Sequence, residues 1–179
     1  DTDHIEKAFD FAGMPARNGV TSALLVQAGA TGVDDVFSGA DNFFEAFLPK
    51  NDAGLIVEKL GERYEVTRTS FKKWTTGSPI QAVLDAMVNL QKKNSFAPDD
   101  VRQILVRVAT NEAAIVNNRE IPDICLQHLV AVMLLDKTVS FKSAHDAARM
   151  KDPAVLRQRA KVQLIPDEEL ERRMPRREA

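Results

Sequence analysis

The stretch DICLQHLVAVMLL, residues 123–135, constrains the fold more than any other part of the chain. It is apolar almost all round, and a helix without a polar face has to be enclosed by other elements. Its apolar run is far shorter than the roughly 20 residues a membrane-spanning helix needs. The spacing therefore predicts a buried helix at the centre of a core, with His128 inside it as a hydrogen-bonded core residue.

Other elements of the right period are available to surround it. Val101 to Ala109 is the best strand in the sequence, with Ile104, Val106 and Val108 alternating against Gln103, Leu105 and Arg107. Tyr64 to Trp74 reads as a second strand, because Tyr64, Val66 and Phe71 are β-formers separated by charged residues and threonines. Between these two lies FKKWTTGSPIQAVLDAMVNL, residues 71–90, in which Ile80, Val83, Leu84, Met87 and Leu90 recur at helical spacing. Ser78 is a good N-cap, Pro79 suits the first helical position, and Gln81 completes a capping box.

The start of that helix has a chemical side. First-turn N–H groups carry partial positive charge, and Lys72, Lys73, Thr75, Thr76 and Ser78 lie just before or at them. A carboxylate or phosphate fits such a place. Capped helices with nearby solvated lysines are also common, so a plain surface remains the alternative.

On the N-terminal side, His4 to Phe11 is a short helical pattern broken at Gly13-Met14-Pro15. A helix from Pro15 to Ala28 follows, with Gly29 as its stop. Val20, Ala23, Leu24 and Gln27 share a face there, and small residues beside them suit a helical partner. Arg17 and Asn18 sit in its first turn, Arg17 either as an anion contact or as an ordinary surface charge. Residues 33–60 read as short interrupted helices with Phe37, Phe43, Phe44 and Phe47 as core anchors. On the C-terminal side, a short helix is expected at Asn111–Asn117. Amphipathic helices are expected at Ser140–Met150 and Pro153–Lys161, a strand at Val162–Ile165, and a charged helix at Asp167–Arg173. His145-Asp146 reads as surface.

Composition removes several function classes. The net charge is -2, with 10 Lys and Arg against 15 Asp and Glu in residues 1–100 and 14 against 11 thereafter. That asymmetry is too mild to name a polyanionic partner, so neither nucleic acid nor membrane is expected. The single Cys125 makes no internal disulfide and no cysteine-based metal site, and a cytoplasmic setting fits it best. No glycine-rich phosphate loop, paired-histidine metal spacing or G-x-S-x-G elbow is present. The chain opens DTDHIEKAF, as if already inside a structural element, and is expected to be a piece of something longer.

Four blocks in order, FDFAGMPARNGVTSALLVQAGATGVDDVFSG, FKKWTTGSPIQAVLDA, DICLQHLVAVMLLDKTVSF and the stretch from Asp152 to Val162, resemble the MmgE/PrpD family. That family includes 2-methylcitrate dehydratase, cis-aconitate decarboxylase and iminodisuccinate epimerase. The resemblance implies an α+β fold class: a helical segment from the end of an all-α domain (residues 1–62), a smaller α+β lid domain (63–165), and a charged tail (166–179). The family's active site lies between the two domains.

Position by position, the resemblance puts Arg17, between Gly13 and Gly19, at a basic position of the family's helix block. Lys72 or its neighbour Lys73 falls at the lysine that opens the lid motif. Counting from Lys72, Trp74 falls at a tyrosine, Gln81 at a histidine and Asp85 at an aspartate; Cys125 and His128 stand where relatives often have Ser and Tyr. Glutamine orients a substrate but carries no protons at neutral pH. The implied activity is cofactor-independent, metal-free lyase chemistry of the 2-methylcitrate dehydratase kind on a small di- or tricarboxylic acid. Arg17, Lys72, Lys73, Ser78 and Gln81 are the expected substrate-binding residues. The catalytic base is not identified, and the piece alone is expected to be inactive. A homodimer is expected by the same resemblance. An epimerase or decarboxylase of the family, or a non-catalytic carboxylate-binding or assembly module, are the alternatives.

Overall fold

The computed structural model describes residues 9–47 and 52–179. The chain divides into two compact units, one ending at Ser70 and the other built from Phe71–Ala179.

In the first unit a π-helical turn, Phe9–Gly13, runs directly into α1, Met14–Gln27. The expected break at Gly13-Met14-Pro15 takes the form of a change of helix type, from π-helical to α, with Pro15 in the first turn of α1, where proline is tolerated. The start of the pattern at His4 lies outside the described residues. Gly29, at φ +101°, ends the helix as expected. No residue of α1 is buried. The four phenylalanines do cluster around α2, Phe43–Phe47, with ring centroids 4.9–6.0 Å apart. Only Phe44 is buried, however, so Phe37, Phe43 and Phe47 are not the core anchors their spacing suggested.

The expected strand at Tyr64–Trp74 is a 3-10 turn, Glu65–Arg68. Its threonines bend back onto the backbone: Thr67 Oγ1 donates to the Tyr64 carbonyl at 2.7 Å and Thr69 Oγ1 to that of Glu65 at 3.0 Å. Such local bonds compete with a ladder, and here they win over β-propensity.

The second unit is mixed helix and strand. After a 3-10 turn, Ser78–Ile80, come α3 (Gln81–Lys93), β1 (Ile104–Ala109), α4 (Thr110–Val116), a 3-10 turn (Pro122–Ile124) and α5 (Leu126–Asp136). Then follow α6 (Phe141–Ala144), a 3-10 turn (Ala148–Lys151), α7 (Pro153–Arg159), β2 (Val162–Asp167) and α8 (Glu168–Arg172). β1 and β2 pair in parallel, Ile104 opposite Val162 and Ala109 opposite Asp167. A parallel pair needs a long crossover, and the helices between the strands supply it.

The all-apolar helix is where its sequence demands. Of the eleven residues of α5, nine are buried. Around it pack Ile80, Val83, Leu84 and Met87 at α3, Val106 and Val108 from β1, and Val155 from α7. Each fully buried side chain of this size contributes about 1.5–3 kcal/mol relative to an exposed one. Leu90, grouped with the apolar face of α3 by spacing, is 51% exposed instead, although the next residue, Gln91, still donates to the Met133 carbonyl of α5 at 3.0 Å.

The expected helix over Ser140–Met150 is interrupted. Ser140 caps α6 with Ser143, but His145 Nδ1 bonds the Phe141 carbonyl at 2.8 Å and Asp146 accepts from the Arg149 N–H, starting a new turn. Farther on, Asp152 and Asp167 cap α7 and α8 through their side chains. Among the described residues no helix is long and apolar enough to cross a membrane.

Candidate functional site: the loop ahead of α3

The residues singled out before α3 form one hydrogen-bonded loop. Lys72 Nζ donates to the Thr76 carbonyl at 3.0 Å. Gln81 reaches back from the first position of α3. Its Oε1 accepts from the Trp74 N–H at 3.0 Å, and its Nε2 donates to the Trp74 carbonyl at 2.8 Å and to Thr76 Oγ1 at 3.1 Å. One helical turn on, Asp85 Oδ1 accepts from Lys73 Nζ at 2.6 Å and from Trp74 Nε1 at 3.1 Å. Gly77 N–H donates to the Asp123 carbonyl at 2.8 Å, which ties the loop to the turn preceding α5.

This corrects the expected capping box. Gly77, not Ser78, is the cap of the Ser78–Ile80 turn, and no side chain caps either that turn or α3. The amide of Gln81 is committed to the loop instead, because a 3-10 turn between Ser78 and Gln81 puts the side chain beside Trp74 and Thr76. Ser78 lies half-buried as the first residue of that turn.

The two lysines differ electrostatically. Lys73 is paired with Asp85 and stands over the Trp74 ring, 4.8 Å from its centroid. The Lys73 hydrogen bond is the main cause holding the Asp85 carboxyl below its usual range, ahead of Trp74. Lys72 bonds a neutral carbonyl, and its side chain is exposed. A neutral acceptor leaves the ammonium charge uncompensated, so Lys72 is the cation of this loop suited to an anion. Asp85 went unassigned as the partner of Lys73, although its place four residues after Gln81 on one helical face signalled it.

Arg17 stands on α1 in the first unit, exposed, with Nη2 donating to Asn18 Oδ1 at 3.3 Å. His128 is fully buried in α5, and among the described residues neither ring nitrogen has a hydrogen-bond partner, contrary to the hydrogen-bonded histidine expected there. Burial, aided by Arg159 and Arg149, lowers its pKa to about 4. Cys125, just before α5, is a buried free thiol whose pKa burial pushes up. Among the described residues no group of three His, Cys, Asp or Glu side chains could hold a metal ion.

A small parallel pair wrapped by helices, fronted by a loop with one uncompensated lysine, is compatible with several binding proteins. Comparison with known families is more specific: the family model for the MmgE/PrpD C-terminal domain matches residues 74–179. The chain belongs to the MmgE/PrpD family, and the matched region corresponds to that family's C-terminal domain. No curated protein matches the chain.

Proposed function

We propose that this protein is a hydro-lyase of the 2-methylcitrate dehydratase kind, acting on a small di- or tricarboxylic acid without a cofactor. Family membership supports the reaction class. The observation that carries the substrate class is the Lys72 ammonium, which among the described residues bonds only the neutral Thr76 carbonyl, while its neighbour Lys73 is paired with Asp85. Elimination of water from such an acid takes a proton α to one carboxylate and expels a hydroxyl as water. Cations near the carboxylates stabilise the charge that develops as the proton leaves. In this reading Lys72 is the carboxylate clamp, and Lys73 and Ser78 shape its surroundings.

Arg17 is proposed as a further carboxylate contact on the strength of the resemblance, as are the helical-domain-plus-lid division and the homodimer; the cytoplasmic setting is proposed on the single Cys125. The experiment is incubation of the full-length protein with 2-methylcitrate, citrate and related acids, with NMR detection of an unsaturated product. Product from at least one acid, reduced in Lys72→Gln and Arg17→Gln, supports the proposal. No product from any polycarboxylate contradicts the lyase reading.

One observation favours a second reading, a non-catalytic carboxylate-binding module. The Gln81 amide carries no proton at neutral pH, and its donors and acceptor are spent on Trp74 and Thr76. Saturable citrate binding without turnover would favour that module.

A further inference from the structure

We infer that Gln81 is a positioning residue, a side-chain latch that holds the Lys72–Thr76 loop in a ready-made conformation for a carboxylate, and that it does not itself touch substrate. The inference rests on the carboxylate reading of Lys72 given above.

The geometry of one amide carries it. A primary amide has one oxygen acceptor and two N–H donors. Here the oxygen takes the Trp74 N–H, while the nitrogen spans the Trp74 carbonyl and Thr76 Oγ1, with the Thr76 carbonyl at 3.4 Å. That satisfies Gln81 on the loop side and leaves no N–H for a ligand. The Thr76 carbonyl that Gln81 approaches is the one Lys72 Nζ bonds, so the latch and the cation share an anchor. Thr76 is 3% exposed, which makes the anchor a buried polar residue with its hydroxyl satisfied by Gln81. Asp85 fastens the same tryptophan at its indole, so Trp74 is held by two side chains one helical turn apart on α3.

The consequence is pre-organisation. A loop that is already ordered loses little backbone freedom when a ligand arrives, whereas a loose one has to be ordered at the moment of binding. Releasing the latch therefore weakens binding at Lys72 without removing any group that contacts the ligand.

Trp74 is the only tryptophan, so its fluorescence reports on this loop alone. The test measures acrylamide quenching of Trp74 and citrate affinity in the full chain, comparing wild type, Gln81→Met, Gln81→Glu and Lys72→Gln, with far-UV circular dichroism as the control for folding. Gln81→Met keeps the length and loses every bond. Gln81→Glu keeps the acceptor for the Trp74 N–H and loses the donors, which gives a milder second variant should the first fail to fold. The expected result is that both raise quenching and weaken citrate binding, Gln81→Met by about threefold, while Lys72→Gln weakens binding with quenching unchanged. Unchanged quenching in folded Gln81 variants overturns the latch. So does altered quenching without any change in the affinity of a wild type that binds citrate. Should wild type not bind citrate at all, the carboxylate reading fails, and the quenching result alone decides whether Gln81 orders the loop.

Discussion

Lys73 Nζ lies 2.6 Å from Asp85 Oδ1, whereas its neighbour Lys72, among the described residues, bonds only the Thr76 carbonyl. Adjacent residues of the same type therefore present different net charge to an incoming anion. Lys72→Gln should weaken citrate binding by about fivefold, the ~1 kcal/mol of a solvent-exposed ion pair. Lys73→Gln should have a smaller effect. Isothermal titration of both variants checks the order, and a larger loss in Lys73→Gln would reverse the assignment.

The buried, unpartnered His128 sets an acid limit on stability. Its pKa in the fold is about 4 against an ordinary value of 6.5. Above pH 6.5 the ring is neutral both folded and unfolded, and titration has no effect. Between 6.5 and 4 the unfolded chain binds a proton that the fold refuses, so stability falls with falling pH, by at most about 3 kcal/mol. The loss levels off below pH 4, where the carboxylates take over. His128→Phe breaks no hydrogen bond, since the ring makes none, and it should flatten the thermal-melt profile across this window. Full acid sensitivity in that variant would contradict the account.

How well the sequence announces an element depends on whether one force dominates there. α5 was legible because a helix without a polar side has only one place to go, and β1 because Val106 and Val108 alternate against exposed Leu105 and Arg107. Where local hydrogen bonding competes with propensity, the pattern misleads. Thr67 and Thr69 turn a run of β-formers into a 3-10 turn, and His145 with Asp146 splits an amphipathic helix. At the site, sequence gathers Lys72, Lys73, Ser78 and Gln81 into one short stretch. It gives no hint that Gln81 spends its amide on Trp74, because a capping box and a backward latch use the same residue types at the same spacing.

Two leucines separate packing from patterning. Leu129 is fully buried in α5, and Leu90 on α3 is 51% exposed although its spacing suits a core position. Leu129→Ala should cost about 3 kcal/mol, and Leu90→Ala no more than ~0.5 kcal/mol. Urea denaturation midpoints measure both, and equal losses would mean that α3 is buried along its whole length.

The start of α7 gives a test of local encoding. Asp152 accepts from the Ala154 N–H at 2.7 Å, with Pro153 following it in the first turn. Asp152→Ala should destabilise the protein by about 1 kcal/mol and Asp152→Ser by less, because serine keeps the cap. Thermal melts of the two variants decide this, and identical losses would assign the effect to charge instead.

The central claim is that the loop before α3 holds a polycarboxylate. Citrate titrated into isotope-labelled protein, followed by backbone amide shifts, tests it most directly. The account predicts saturable shifts concentrated at Lys72 to Gln81, with α7 and α8 unmoved and the response much reduced in Lys72→Gln. Absence of saturable shifts in this loop, or saturation centred elsewhere in the chain, would contradict it.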